Sequence, residues 1–233
     1  MEKVTITAAD GAGTFDAWLA RAPESTAGVV VLIQEIFGVN DSMKKTAKQV
    51  ADQGYHVLAP DLFWRLQPGI NITDKSEAEW KQALDLMNRF DQAKGVDDLK
   101  ATVAYARTMA GSNGKVGTMG YCLGGRLAMM MALDSDADVN VSYYGVALDG
   151  LLGGLDKVSA PLLLHIADED KFFPAEGRAK VVEAAARARP HVHAYTYPKA
   201  DHAFARVGGT HWQARAATIA NGRSAEALAM ALG

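Results

Sequence analysis

A disulfide or a thiolate metal cluster is excluded at the outset, because this chain of 233 residues holds one cysteine, Cys122. Long apolar runs are missing too. The longest aliphatic stretch, VVVLI at 29–33, is far too short to span a bilayer. Neither sign of charge dominates: 24 Lys and Arg stand against 27 Asp and Glu, interspersed, for a net charge of −3. That balance leaves no basic stripe for nucleic acid and no cationic patch for a membrane surface. The opening MEKVTITAADG has neither an apolar core nor a cleavage pattern, so no signal peptide is expected. A free thiol then points to a cytoplasmic location. No internal repeat, linker or low-complexity segment is visible.

What is present suffices for a sizeable core. At 49% hydrophobic, the chain is expected to form a single α/β domain over 1–233. VTITA (4–8) and FDAWLA (15–20) read as an opening hairpin around Asp10-Gly11. VVVLI reads as a strand buried on both faces, followed by a helix from Asp41 with Met43, Ala47, Val50 and Ala51 on one side, ended by Gly54. Strand patterns recur at 55–61, 115–119, 139–144, 161–166 and 192–197, and residues 95–110 are helical, with Val96, Leu99, Val103 and Ala106 on one face. Such alternation predicts a mostly parallel sheet with helices on both faces. The stretch 62–94, with Trp64, Trp80, Met87 and Phe90 but no strand pattern, is expected to form a small partial cap.

Cys122 sits in KVGTMGYCLGGR, between a strand pattern and a helix pattern, with Gly120 and Gly124 two residues to either side. Gly-x-Cys-x-Gly in that setting has the form of a nucleophile elbow, a sharp turn that exposes the central side chain at the sheet edge. A helix N-terminus behind the thiol favours its thiolate. The plainer reading is a buried structural cysteine, but the flanking glycines and the strand–helix context favour a nucleophile.

A thiol nucleophile needs a histidine, and the histidine needs an orienting carboxylate. His56 and His165 lie inside strand patterns, His191 and His193 at the last strand, and His211 at the start of the C-terminal helix. His202, in the loop KADHAFAR after the last strand, is where open α/β sheets place functional groups. ADEDKFFP after PLLLHI offers Asp168, Glu169 and Asp170 as the acid, and spacing does not choose between Asp168 and Asp170; both can instead cap the helix near Pro174. Asp201 adjoins His202, and adjacent side chains rarely meet in the required way. QEIFGVND (34–41) lies at the carboxyl end of a central strand, so the amides of Ile36 and Leu123 are candidate oxyanion donors. Glu35 is costly there unless partnered or solvated.

QEIFGVN, DQGY…PDL, SNGKVG…GYCLGG, SYYGV and HAFAR, in that order and spacing, closely resemble the dienelactone hydrolase (carboxymethylenebutenolidase) family, a cysteine branch of the α/β-hydrolases. The resemblance covers nearly the whole chain. It implies a triad of Cys122, Asp170 and His202, with Pro174 four residues after the acid, and a Glu35 that accepts the thiol proton when substrate enters. It also implies substrate contacts from Phe37, Tyr144 and Arg206. The pattern breaks in the cap. Trp80 stands where the family has a second arginine, Leu84 and Met87 replace aromatics, and Ala203 replaces a serine. The expected protein is a cytoplasmic hydrolase of small lactones or esters, without metal or cofactor, acting as a monomer or weak dimer. A thioesterase or general carboxylesterase for uncharged acyl groups is the alternative, and a non-catalytic ligand-binding protein on the same scaffold is a third reading.

Overall fold

Alternating apolar and polar residues make the first twenty residues a hairpin. In the computed structural model, which describes residues 1–188 and 190–233, β1 (Glu2–Thr7) and β2 (Thr14–Ala20) pair antiparallel with Val4 opposite Ala17. The turn closes from the Ala8 N–H to the Gly13 carbonyl at 2.9 Å, and Asp10 Oδ1 accepts the Ala12 N–H at 3.0 Å. The chain divides into two compact units, Met1–Val116 and Gly117–Gly233.

In the first unit, β3 (Ala27–Ile33) and β4 (His56–Pro60) are parallel and buried at every residue, as the unbroken aliphatic run requires. β4 also pairs antiparallel with β2. α1 (Asp41–Ala51) buries Met43, Ala47, Val50 and Ala51, and Asn40 caps it by accepting the Met43 N–H at 3.1 Å. The 62–94 stretch contains α2 (Glu77–Arg89), opened by a reciprocal cap. Ser76 Oγ accepts the Glu79 N–H at 3.3 Å, and Glu79 Oε2 accepts the Ser76 hydroxyl at 2.9 Å. α3 (Gln92–Thr108) follows, with Asp98 buried beneath a bidentate Arg65 at 2.7 and 3.0 Å.

β5 (Ser112–Tyr121) begins in the first unit and ends in the second. The sheet runs β1-β2-β4-β3-β5 in the first unit and β5-β6-β7-β8 in the second, eight strands in all. β6 (Val139–Tyr143), β7 (Leu162–Ala167) and β8 (Val192–Tyr197) all run parallel to β5 and to one another. The helices of this unit are α4 (Leu123–Asp134), α5 (Ala175–Arg187) and α6 (Ala214–Leu232). Met129, Leu162, Leu164, Phe173 and Val181 form its apolar core. The mostly parallel α/β fold read from the sequence is therefore the fold observed.

The candidate active site

Parallel strands deliver their following loops to one edge, so β5 to β8 each present a residue at the same rim: Cys122, Tyr144, Asp170 and His202. The turn at Cys122 is tight. Its φ of 57° and ψ of −115° are a conformation that L-residues adopt only under constraint, at a cost of order 1–3 kcal/mol. The glycines explain how it is tolerated. A Cβ on Gly120 would lie 1.9 Å from the Gly124 carbonyl oxygen, and one on Gly125 would lie 2.6 Å from the Tyr143 carbonyl oxygen. The turn is tied to β6 by the Cys122 N–H, which donates to the Tyr143 carbonyl at 3.0 Å. Leu123 opens α4, so the helix offers its N–H no carbonyl four residues back.

Asp170 spends one carboxylate oxygen on each of two tasks. Oδ2 lies 2.8 Å from His202 Nδ1, and Oδ1 accepts the Phe172 N–H at 2.8 Å. Asp168 and Glu169 are exposed, and their amides tie the acid loop to Tyr197 and Ala200. Packing β7 beside β8 thus settles what spacing left open: Asp170, not Asp168, meets the imidazole. Neither caps α5, whose N-cap is Pro174. Arg178, one turn into α5, was not singled out by sequence. Its guanidinium donates to the carbonyls of Asp168, Asp170 and Phe173 and so pins the acid loop. The available signal was a helical arginine with a proline, not an acid, four residues before it.

His202 is 6% exposed. With Nδ1 on Asp170, its other nitrogen is left for the hydrogen bond to the Cys122 side chain. Burial alone would lower its pKa. The negative charge at Cys122 and the hydrogen bonds to Asp170 and Cys122 outweigh burial and push it up to about 10. Two rings wall it in: Tyr144 meets it edge-on at 5.1 Å, and Phe172 at 5.0 Å. Phe172 is 57% exposed, and sequence reasoning passed over it.

The remaining candidates fall as follows. In the first unit, Glu35 is buried at 1% exposure, so it is not a solvated loop acid. Ile36 and Phe37 beside it are also buried. Their loop is anchored by Gly38, whose φ is +74° and whose added Cβ would lie 2.1 Å from the Ile70 carbonyl oxygen. Trp80 meets Phe37 edge-on at 5.2 Å and donates its indole N–H to the Asp74 carbonyl at 3.0 Å. In the second unit, Arg206 is half-buried in the turn after His202, its N–H on the Ala203 carbonyl at 3.0 Å. His211 does not begin α6, which starts at Ala214. The Gln213 backbone and side chain are held by the Phe204 and Lys199 carbonyls, which keeps His211 in a preceding turn. His193 lies inside β8, and His56 and His165 are buried. Among the described residues no group of three His, Cys, Asp or Glu is placed to hold a metal ion, and no helix is long and apolar enough to cross a membrane.

An elbow after one parallel strand, with a carboxylate and then a histidine after later ones, is the chain order of the α/β-hydrolases. Within that class the chain belongs to the dienelactone hydrolase family, whose model matches residues 15–232. It is 40% identical to a carboxymethylenebutenolidase of Pseudomonas putida over 228 residues, covering 98% of this chain and 96% of that one. It is 36% identical to carboxymethylenebutenolidase 1 of Cupriavidus pinatubonensis, covering 97% and 96% of the two chains. The dienelactone hydrolase of Anabaena variabilis superimposes with a TM-score of 0.71 at 18% identity, covering 100% of this chain and 99% of that one. At that identity the likeness concerns the fold.

Proposed function

We propose that Cys122, Asp170 and His202 are the catalytic triad of this lactone or ester hydrolase, and that its preferred substrates are small and carry a carboxylate. The observation that carries the reading is His202, bonded to Asp170 at 2.8 Å and to Cys122, with its pKa raised by that company. A proton on His202 and a negative charge on Cys122 stabilise each other, which supports direct transfer from thiol to imidazole. The thiolate attacks the substrate carbonyl, and the oxyanion formed is held by amide N–H groups, that of Leu123 among them. Collapse breaks the acyl–oxygen bond, and the imidazolium gives its proton to the departing alkoxide. His202 then takes a proton from water, whose oxygen attacks the thioester and releases the acid and the thiolate. Asp170 keeps the Nδ1 proton in place throughout.

The remaining roles are Ile36, in the loop after β3, as a second oxyanion donor, Glu35 as the family's alternative acceptor of the thiol proton, and Phe37, Tyr144 and Arg206 as substrate contacts, joined by Trp80 in the place of the family's second arginine. The same reading treats residues 1–233 as one functional domain acting in the cytoplasm on a small molecule, as a monomer or weak dimer and without a cofactor. A second reading, hydrolysis of uncharged esters or thioesters, is favoured by Trp80, which presents an apolar ring against Phe37 where the family carries a cation.

Comparing a carboxylate-bearing lactone with its neutral methyl ester separates the two. One charge-assisted contact from Arg206 contributes about 1.5–3 kcal/mol, or roughly ten- to a hundredfold in kcat/KM. The acidic substrate should win by that margin, and Arg206→Ala should erase the difference while sparing the neutral ester. Equal rates in the unmodified enzyme would replace the anionic-substrate reading with the carboxylesterase one.

A further inference from the structure

Asp201 was set aside above as the orienting acid, because an adjacent carboxylate does not meet the imidazole. The structure gives its side chain other work. Asp201 Oδ1 accepts the backbone N–H of His202 at 2.7 Å. Its Oδ2 lies 3.1 Å from His211 Nδ1 and 3.4 Å from Lys171 Nζ. One carboxylate therefore touches three segments: the histidine loop, the acid loop just after Asp170, and the turn before α6. His202, Lys171 and His211 are the groups that face it. Together they hold its carboxyl below the usual carboxylate range although burial works against this.

The loop it holds is not relaxed. Lys199 and Ala203, three residues before and one after His202, have φ values of 61° and 63°. A left-handed conformation costs an L-residue roughly 1–2 kcal/mol, so this loop keeps its path only where other contacts enforce it. The Gln213 side chain on the Lys199 carbonyl at 3.1 Å and the Glu169 N–H on the Ala200 carbonyl at 2.8 Å fix its start. At His202 itself the backbone is held by Asp201. An amide donating to an ionised carboxylate is roughly twice as strong as a neutral hydrogen bond. Lys171 is highly exposed, so its ion pair contributes little by itself and its part is to orient the carboxylate.

We infer that Asp201 is a positioning residue, whose carboxylate sets the backbone of His202 so that one imidazole reaches Asp170 and Cys122 together. The inference rests on the triad reading above. Catalytic geometry is unforgiving, since a displacement of about 1 Å can cost roughly a hundredfold in rate.

The test is p-nitrophenyl acetate hydrolysis by Asp201→Ala and Asp201→Asn, with iodoacetamide alkylation of Cys122 followed against pH. Asp201→Ala should lose about ten- to a hundredfold in kcat with KM within about twofold. Its alkylation midpoint should move to higher pH, because a displaced imidazolium no longer supports the thiolate. Asp201→Asn keeps an oxygen for the His202 N–H and should recover most of the rate. Wild-type kcat in Asp201→Ala would overturn the inference. So would an unmoved alkylation profile accompanied by a lower melting temperature, or an Asn variant as poor as the Ala variant. Cys122→Ala is assayed alongside: substantial activity there strikes the triad reading itself, whereas the other failures strike Asp201 alone.

Discussion

Two histidines of the second unit are buried to nearly the same degree and are driven in opposite directions. His165, on β7, is 1% exposed, and His202, after β8, is 6% exposed. Burial and the nearby Arg223 charge push His165 down to about 3, whereas His202 is pushed up to about 10. Each packs against a tyrosine ring, Tyr143 at 4.6 Å and Tyr144 at 5.1 Å. Their polar partners differ. His165 meets two hydroxyls, Tyr197 Oη at 2.8 Å and Ser224 Oγ at 3.0 Å, and neither offers a charge. His202 meets the Asp170 carboxylate and the Cys122 sulfur, and both raise its pKa. Burial sets a neutral imidazole by default, and anionic partners reverse it. The core histidine is a fixed hydrogen-bonding strut, and the rim histidine is the one to which the proposed mechanism gives the proton.

The strongest way to break that contrast is to remove the anionic partner at the rim. Cys122→Ala should lower kcat on the order of 10⁵-fold, as deletion of a nucleophile does elsewhere. It should also release His202, whose imidazole resonances would titrate at lower pH than in the unmodified protein, while those of His165 stay put. Retention of more than roughly a hundredth of wild-type kcat would remove the thiol from the mechanism. An unchanged His202 titration would show that Cys122 is not what raises it.

How far the sequence carried the contrast depends on the range of the interaction. The elbow was legible because its requirements are local: Gly120, Cys122 and Gly124 lie within five residues, between a strand pattern and a helix pattern. The buried strands β3 and β7 were legible because they carry nearly unbroken apolar runs, and β6 because Val139, Val141 and Tyr143 alternate with Asn140 and Ser142. The choice of Asp170 over Asp168 was not a matter of spacing, since the bond to His202 spans 32 residues and forms only when β7 lies beside β8. His165 was readable as a strand residue, but its partner Ser224 is 59 residues away on α6. The placement of His211 failed for a related reason. The contacts of Gln213 with Phe204 and Lys199, which fix where α6 begins, are tertiary.

A gentler test uses pH. An unfolded histidine titrates near 6.5. Below that value the unfolded chain takes up a proton that folded His165 refuses, so its contribution falls as pH drops from about 6.5 toward about 3. The slope is at most about 1.4 kcal/mol per pH unit. His202 has the opposite sign: folded, it keeps its proton up to about 10, so its contribution is complete below about 6.5 and drains away as pH rises toward 10. Thermal unfolding across pH should show both limbs. His165→Gln should flatten the acid limb, and Cys122→Ala the alkaline one. If either variant altered both limbs equally, the two histidines would not be independent.

The smallest effect is expected where the core network is cut without touching a histidine. Ser224 Oγ donates to the Ala220 carbonyl at 3.1 Å, one turn back in α6. With its proton directed there, it is the acceptor for His165 Nε2 in the tautomer that carries the ring proton on that nitrogen. Tyr197 then donates to Nδ1 and is itself met by Arg223 Nη1 at 3.1 Å. Tyr143 Oη lies 2.7 Å from the same serine and has a further partner in Asn221 Oδ1 at 2.9 Å. Ser224→Ala therefore leaves the Nε2 proton of His165 without this acceptor, while Tyr143 keeps Asn221. A buried donor stripped of its acceptor costs about 1–3 kcal/mol. At about 2–4 °C per kcal/mol for a chain of this size, the melting temperature should fall by several degrees. Because His165 takes no part in the proton path, kcat for p-nitrophenyl acetate should stay within about twofold of the unmodified enzyme. A loss of rate in step with the loss of stability would show that the core histidine and the rim histidine are coupled, and the division of labour between them would have to be abandoned.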